Sequence, residues 1–165
     1  MNWGNIIFQN HSNSSFEKLS LEVFRFQAEN NPIYKAYLKC LGIALEEIKQ
    51  TNHIPHIPIE LYKQKKVVCE PNNIEAIFTS SGTSGAQSKH VIHDVSIYEK
   101  SFTYGFEYFY GNIKDYNVLA LLPSYIERSD SSLIYMCEKL MEYSEKKDSG
   151  FYLNEYKKLN DLLLE

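Results

Sequence analysis

The sequence predicts an α/β fold in which a small mixed or parallel sheet is flanked by helices. Short runs of β-branched and aromatic residues alternate with longer segments of helical periodicity, and no stretch of about 20 to 50 residues repeats. With 165 residues, of which 44% are hydrophobic, the chain is long enough for a packed core. We therefore expect a single domain over residues 1–165.

The first third of the chain favours helices. Residues 14–17 have the capping-box pattern, a hydroxyl followed three positions later by a carboxylate, and residues 19–26 continue with helical spacing. The pair at 31–32, Asn-Pro, predicts the start of a second helix, which Gly42 ends. A third, short helix is expected near residues 45–50.

Strands alternate with helices in the remainder. Two prolines predict that residues 53–60 are extended and irregular. The predicted strands are 66–69, 75–79, 89–93, 117–122 and 150–153, of which 117–122 is apolar throughout and therefore expected to be buried on both faces. The predicted helices are 95–110, 129–146 and 155–164. Side chains expected to face inward are Tyr98, Phe102, Phe106 and Phe109 on the first helix and Leu133, Met136, Cys137, Leu140 and Met141 on the second. Because the chain ends on a helix directly after a short strand, we expect the domain to be incomplete.

Composition and charge exclude several classes of protein. Seventeen Lys and Arg against 21 Asp and Glu leave a net charge of −4, whereas a domain that binds nucleic acid through phosphates is normally basic. No apolar run approaches the roughly 18 residues of a membrane span, and no secretory signal is visible. The three cysteines are widely spaced and odd in number, so a disulfide framework is not expected and a cytoplasmic location fits best.

The segment that carries chemistry follows the predicted strand 75–79. Residues 79–85 contain five hydroxyls and two glycines, and Lys89 follows. Glycines let successive backbone N–H groups converge on an anion, hydroxyls add donors, and a lysine adds charge. The segment is not a Walker A loop, because Gln87 stands five residues after Gly82, where the second glycine is required, and Gly82 and Gly85 lack the G-x-G spacing of dinucleotide-binding folds.

This loop resembles the S-G-T-[ST]-G-x-P-K loop of AMP-forming adenylating enzymes. It departs after Gly85, where Ala-Gln-Ser precedes Lys89, giving one residue more and no proline. That spacer, together with His90, resembles the acyl-protein synthetase (LuxE-like) branch. The resemblance extends to LEVFRFQAENNPIYKAYL, IPHIPIELYKQKKVV and LALLPSYIERSDSSLIYM. It implies that the chain is the amino-terminal part of a larger adenylating domain.

The resemblance also implies an activity. A fatty acid or another carboxylate would react with ATP, in the presence of Mg²⁺, to give an acyl-adenylate, and the acyl group would pass to a protein thiol and on to a reductase partner. The residues expected to bind the phosphates are Ser80, Ser81, Gly82, Thr83, Ser84, Gly85 and Lys89. The catalytic residues of the family are expected beyond Glu165, so this chain alone is expected to be inactive.

Other candidate residues carry weaker signals. His90 is a candidate for orienting the loop or lining a substrate pocket. Tyr104 and Tyr108 lie off the apolar helix face, and Tyr125 follows the predicted strand 117–122 at the end where ligands usually bind in α/β folds. No metal site is expected, because the two H-x-x-H pairs lack further ligands and residues three apart on a strand point to opposite faces.

Two alternatives remain open on sequence grounds. One alternative to the acyl-protein synthetase is a non-catalytic module that binds acyl chains or a partner protein. The other is a relative of phenylacetate-type CoA ligases, in which CoA accepts the acyl group. In each case an apolar surface left exposed on an incomplete domain predicts a homo-oligomer.

Overall fold

A computed structural model describes residues 3–9, 12–69, 72–80, 87–123 and 129–164. They confirm the predicted mixed α/β class, with helices flanking a two-stranded antiparallel sheet and a two-stranded parallel sheet. The chain divides into two compact units, Met1–Asp94 and Val95–Glu165, which are described separately.

The first unit contains a helical pair, a connecting strap and a hairpin. Its elements are α1 (Trp3–Ile6), α2 (Asn13–Asn30), α3 (Pro32–Cys40), α4 (Ile59–Gln64), β1 (Ala76–Thr79) and β2 (Lys89–Ile92), with 3-10 turns at Leu45–Glu47 and Thr51–His53. The second unit contains α5 (Val95–Tyr110), a 3-10 turn (Ile113–Asp115), β3 (Leu119–Ala120), α6 (Ser132–Ser144), β4 (Gly150–Phe151) and α7 (Tyr156–Leu164).

The core of the first unit lies between α2 and α3. Phe24 and Ala28 lie one helical turn apart on α2 and are buried with Tyr34 and Leu38 of α3. The start of α3 is fixed by Asn31, whose side-chain oxygen accepts hydrogen bonds from the backbone N–H groups of the second and third residues of the helix, both at 3.2 Å. The predicted Asn-Pro helix start is therefore confirmed.

Residues 53–60 were predicted to be extended and irregular, which is confirmed for the segment 54–58, which we call the strap and which is bound to α3. The prediction is wrong at residue 53, which ends a 3-10 turn, and at residues 59–60, which begin α4. The Tyr34 hydroxyl donates to the carbonyl of Pro55 at 2.6 Å, and the Tyr37 hydroxyl donates to the carbonyl of His56 at 3.2 Å. The strap leads into α4, a helix that the sequence analysis did not anticipate, beginning directly after Pro58.

After α4, residues 66–69 were predicted as a strand, and that prediction is wrong. These residues form neither helix nor strand. Cys69 instead ties this segment to α2, since its thiol donates to the side-chain oxygen of Gln27 at 3.2 Å. The segments before and after α4 are thus both bound to the α2–α3 pair, the first through the strap and the second through Cys69.

In the second unit, α5 and α6 contact each other and the 3-10 turn between α5 and β3, and the two strands pair in parallel. Strands β3 and β4 are joined by hydrogen bonds from the backbone N–H of Gly150 to the carbonyl of Val118 and from that of Tyr152 to the carbonyl of Ala120. The buried apolar side chains among the described residues of this unit are Ile113, Ala120, Ile134, Leu140 and Tyr152, and Ser144 is buried as well.

Several predicted boundaries are corrected. Helix α2 is capped by Ser12 rather than Ser14, because the Ser12 hydroxyl accepts from the backbone N–H of Ser15. Only Leu119–Ala120 of the predicted strand 117–122 pairs, and Leu121 is exposed. Phe109 and Leu133 were expected inside but are 76% and 48% exposed, the first at the free end of α5 and the second beside buried Ile134.

Candidate functional site

The predicted phosphate loop connects β1 to β2. Ser81, Gly82, Thr83, Ser84 and Gly85 lie outside the described residues, as does Tyr125. Ser80 and Lys89, at the two ends of the loop, are described. The candidate site is therefore built from the ends of the hairpin that carries the loop.

The two strands pair antiparallel, with Phe78 opposite His90 and Thr79 opposite Lys89. Beyond the last strand pair, Ser80 and Ser88 form what we call the hairpin neck. The backbone N–H of Ser80 donates to the carbonyl of Ser88 at 3.1 Å, and the backbone N–H of Ser88 donates to the Ser80 hydroxyl at 3.0 Å. The Ser80 side chain thus closes the base of the loop.

Lys89 is the first residue of β2 and is exposed to solvent. It shares a face of the hairpin with Thr79, since opposed residues of an antiparallel pair lie on the same side. No carboxylate in the part of the chain that the structure describes forms an ion pair with it. Lys89 therefore begins β2 next to the hairpin neck, with its side chain exposed.

His90 lies on the opposite face of the hairpin, beside the buried Phe78. Its imidazole contacts the ring of Tyr62 on α4 edge to face, with ring centroids 6.4 Å apart and ring planes at 85°. The sequence analysis singled out His90 but not Tyr62, because nothing local to either residue signals a contact between α4 and β2.

The tyrosines suggested for a substrate pocket belong to the second unit, on α5. Tyr104 and Tyr108 are 49% and 83% exposed, as their position off the apolar face predicted. Tyr104 lines a surface depression of about 480 Å³. Tyr108 stacks edge to face on the exposed ring of Phe109. Neither observation tests a role in binding substrate.

Glu99 and Tyr143, which line the same depression, belong to a polar cluster that was not predicted from the sequence. The Tyr135 hydroxyl donates to one carboxylate oxygen of Glu99 at 2.6 Å, and the Tyr143 hydroxyl donates to the other at 3.4 Å. Burial, followed by the negative charge of Glu99, raises the pKa of Tyr143. No local sequence signal marks this cluster, because Glu99 is one of several polar residues of α5 and its two partners lie on α6.

The described residues also bear on metal and thiol chemistry. Within residues 3–9, 12–69, 72–80, 87–123 and 129–164, no three His, Cys, Asp or Glu side chains are grouped as metal ligands. Burial raises the pKa of the Cys137 thiol, which keeps it protonated and poorly nucleophilic at neutral pH. In the same part of the chain, none of the helices has the length and apolar character that crossing a bilayer requires.

Comparison with protein families completes the assignment. The chain matches the model of the family "Acyl-protein synthetase, LuxE" over residues 7–137. The match includes both strands of the hairpin and covers most of the sequence, so the chain belongs to this family. No curated protein and no solved structure matches the chain.

Proposed function

We propose that this chain supplies the phosphate-binding hairpin of an AMP-forming acyl-protein synthetase that activates a long-chain fatty acid. The family match supports the class of ligase. The observation that carries the nucleotide role is the neck: a Ser/Thr/Gly-rich segment whose two ends are hydrogen-bonded together, with an exposed lysine next to them.

The proposed reaction has two group transfers. A carboxylate oxygen of the fatty acid attacks the α-phosphorus of ATP, so a bond from this oxygen to phosphorus forms while the bond to the β-phosphate oxygen breaks and pyrophosphate leaves. A protein thiolate then attacks the acyl carbonyl carbon, forming the thioester as the carbon–oxygen bond to AMP breaks. The proton of the thiol passes to solvent or to a base.

In this proposal the hairpin binds the β- and γ-phosphates. Negative charge that accumulates on the departing pyrophosphate is stabilised by fixed donors and a cation. Lys89 provides the cation at the loop base. The remaining proposed donors are the hydroxyls and backbone N–H groups of Ser80, Ser81, Gly82, Thr83, Ser84 and Gly85. Ser80 is assigned mainly to closing the loop, since its oxygen already accepts from Ser88.

Magnesium enters this proposal as part of the substrate, MgATP. Mg²⁺ is usually held by nucleotide phosphates, waters and one or two carboxylates. The described residues contain no grouped set of metal ligands, so no step is assigned to a protein-held ion.

Nucleotide binding by this chain tests the proposal directly. We expect millimolar MgATP to raise the thermal midpoint of the wild-type chain, because a ligand that binds only the folded state stabilises it. Gly82→Val should abolish this shift, since a branched side chain obstructs convergence of the loop N–H groups. Gly105→Ala, in α5, is the matched control and should retain it. Equal shifts for wild type and Gly82→Val would contradict the assignment of the loop.

The acyl substrate and the acceptor need an activity assay on the complete ligase. Hydroxylamine traps an acyl-adenylate as the hydroxamate, and we expect a long-chain fatty acid to give more product than acetate. Thioester formed on protein rather than on added CoA is the expected second step. CoA thioester as the dominant product would instead favour the CoA-ligase alternative, and MgATP binding without hydroxamate would favour a non-catalytic module.

A further inference from the structure

We propose that Tyr62 is a positioning residue for the phosphate site, acting through its contact with His90. The inference rests on the proposed function, because it concerns a side chain placed beside the nucleotide-binding hairpin. It adds a residue from a separate element, α4, that no feature of the loop itself indicates.

The first support is the geometry of the ring pair. The imidazole of His90 meets the Tyr62 ring edge to face, which is a favoured arrangement for two aromatic groups. His90 is exposed and begins β2 together with Lys89, so without a partner its ring would be free to rotate. Contact with Tyr62 on one side limits that rotation and leaves the rest of the imidazole accessible.

The second support is the strand alternation. Lys89 and His90 project from opposite faces of β2, directly after the neck. The oxygens of a phosphate group bound at the loop base could then accept hydrogen bonds from the Lys89 ammonium group on one face and from an imidazole N–H of His90 on the other. We infer that His90 donates such a hydrogen bond and that Tyr62 keeps the ring oriented for it.

The third support is the way α4 is itself held. The strap before α4 is bound by the hydroxyls of Tyr34 and Tyr37, and the segment after it is bound through Cys69 to Gln27. Tyr62 therefore projects from a helix anchored to the α2–α3 core. A group anchored in this way gives His90 a fixed reference that the hairpin alone does not provide.

The test uses a double-mutant cycle on MgATP binding to this chain. We expect Tyr62→Leu to weaken binding about three- to tenfold, whereas Tyr62→Phe, which keeps the ring, should stay within about twofold of wild type. In a His90→Gln background, Tyr62→Leu should have no further effect. Phe26→Leu removes a similar edge-to-face partner, that of Trp3, elsewhere in the same unit and is the matched control.

A spectroscopic measurement separates positioning from simple stabilisation. The imidazole C–H resonances of His90 should shift when MgATP is added to wild type and to Tyr62→Phe, and should respond much less in Tyr62→Leu. Tyr62→Met provides a second ring-free variant if Tyr62→Leu does not fold. Additive losses in the cycle, or an unchanged His90 response in the ring-free variants, would overturn the inference.

Failure of the inference is distinguishable from failure of the proposed function. If Gly82→Val abolishes MgATP binding but the Tyr62 and His90 effects are additive, the phosphate hairpin stands and Tyr62 has only a structural role. If wild type binds MgATP no better than Gly82→Val does, the proposed function fails, and the positioning role fails with it.

Discussion

Individual side chains, rather than long stretches of regular structure, define the candidate site. Ser80 is the clearest example, because a residue expected to bind phosphate instead accepts a hydrogen bond from the backbone of Ser88. A serine hydroxyl has one donor and two acceptor positions, so closing the neck does not prevent it from also donating to a ligand.

Removal of that hydroxyl gives the first prediction. We expect Ser80→Ala to speed hydrogen exchange of the Ser88 backbone N–H and to weaken MgATP binding several-fold, while costing only about 0.5–1 kcal/mol in the free energy of unfolding because the neck is exposed. Hydrogen exchange followed by NMR measures the first effect. Ser80→Thr keeps the hydroxyl and serves as the control, and unchanged exchange in Ser80→Ala would contradict the neck geometry.

Asn31 provides a second prediction at the same scale. Its side chain is 4% exposed and accepts two backbone hydrogen bonds at the start of α3, so Asn31→Ala leaves buried donors unpaired. We expect a loss of about 1–2 kcal/mol in the free energy of unfolding, measured by urea denaturation. Asn30→Ala, next to it but exposed, should cost much less. Equal losses in the two variants would argue against the capping role.

At the scale of elements, one glycine inside α5 and one directly after it allow the effect of backbone conformation on stability to be measured without a change in packing. Gly105 lies inside the helix and Gly111 follows it with φ +87°, and a Cβ at either position would have no heavy atom within 4 Å. We expect Gly105→Ala to stabilise the chain by about 0.5–1 kcal/mol, because alanine restricts the unfolded chain and favours helix.

Gly111→Ala should have the opposite sign, since an L-residue is strained at positive φ. Thermal unfolding of the two variants beside wild type measures both effects. A stabilising Gly111→Ala would contradict the left-handed backbone at the end of α5.

The sequence predicted those elements that local chemistry determines. Strands β1 and β2 and helices α3 and α5 lie within about one or two residues of their predicted bounds, because alternation, capping and helical spacing are properties of neighbouring residues. Residues 66–69 have the composition of a strand but no strand to pair with, and pairing depends on distant parts of the chain.

The same distinction separates the parts of the site. The loop and Lys89 were predicted as a phosphate site from composition and order alone, and this role stays a prediction. Only the fold reveals the other contacts. Tyr62 and His90 are far apart in sequence, as are Glu99 and Tyr135, and the neck hydrogen bonds depend on how the hairpin pairs.

At the scale of the whole molecule, the titration of buried groups predicts alkaline instability. Burial is the main reason why the pKa of Tyr34 and that of Tyr98 are raised. These two hydroxyls therefore hold their protons more tightly in the folded chain than in the unfolded chain. Their contribution to stability is complete below about pH 10, the unfolded value for tyrosine, and is lost as the pH rises through the folded value.

We therefore expect the free energy of unfolding to fall above about pH 10, measured by urea denaturation at a series of pH values. Tyr98→Phe loses the hydrogen bond to the Ser132 carbonyl and should be less stable at neutral pH, but its alkaline decline should be shallower. Parallel declines in the two proteins would show that Tyr98 does not contribute.

Exposed aromatic surface leads to the remaining prediction. Tyr108, Phe109 and Tyr110 are 83%, 76% and 63% exposed at the end of α5, and the rings of Tyr108 and Phe109 contact each other. We expect concentration-dependent self-association in sedimentation velocity, reduced by Phe109→Gln. Leu41→Gln, at an exposed leucine of the first unit, is the control. A monomer at all concentrations would remove this patch as a homo-oligomer interface.

The neck also bears on the length of the loop, which is one residue longer than the S-G-T-[ST]-G-x-P-K loop that it resembles. The additional residue between Gly85 and Lys89 falls inside the segment that Ser80 and Ser88 enclose. Enlarging a closed loop costs little, about 0.6 kcal/mol for each doubling of its length. An insertion there is expected to leave the pairing of Thr79 with Lys89 unchanged, so the segment that we propose binds phosphate can change in length without a change in the hairpin.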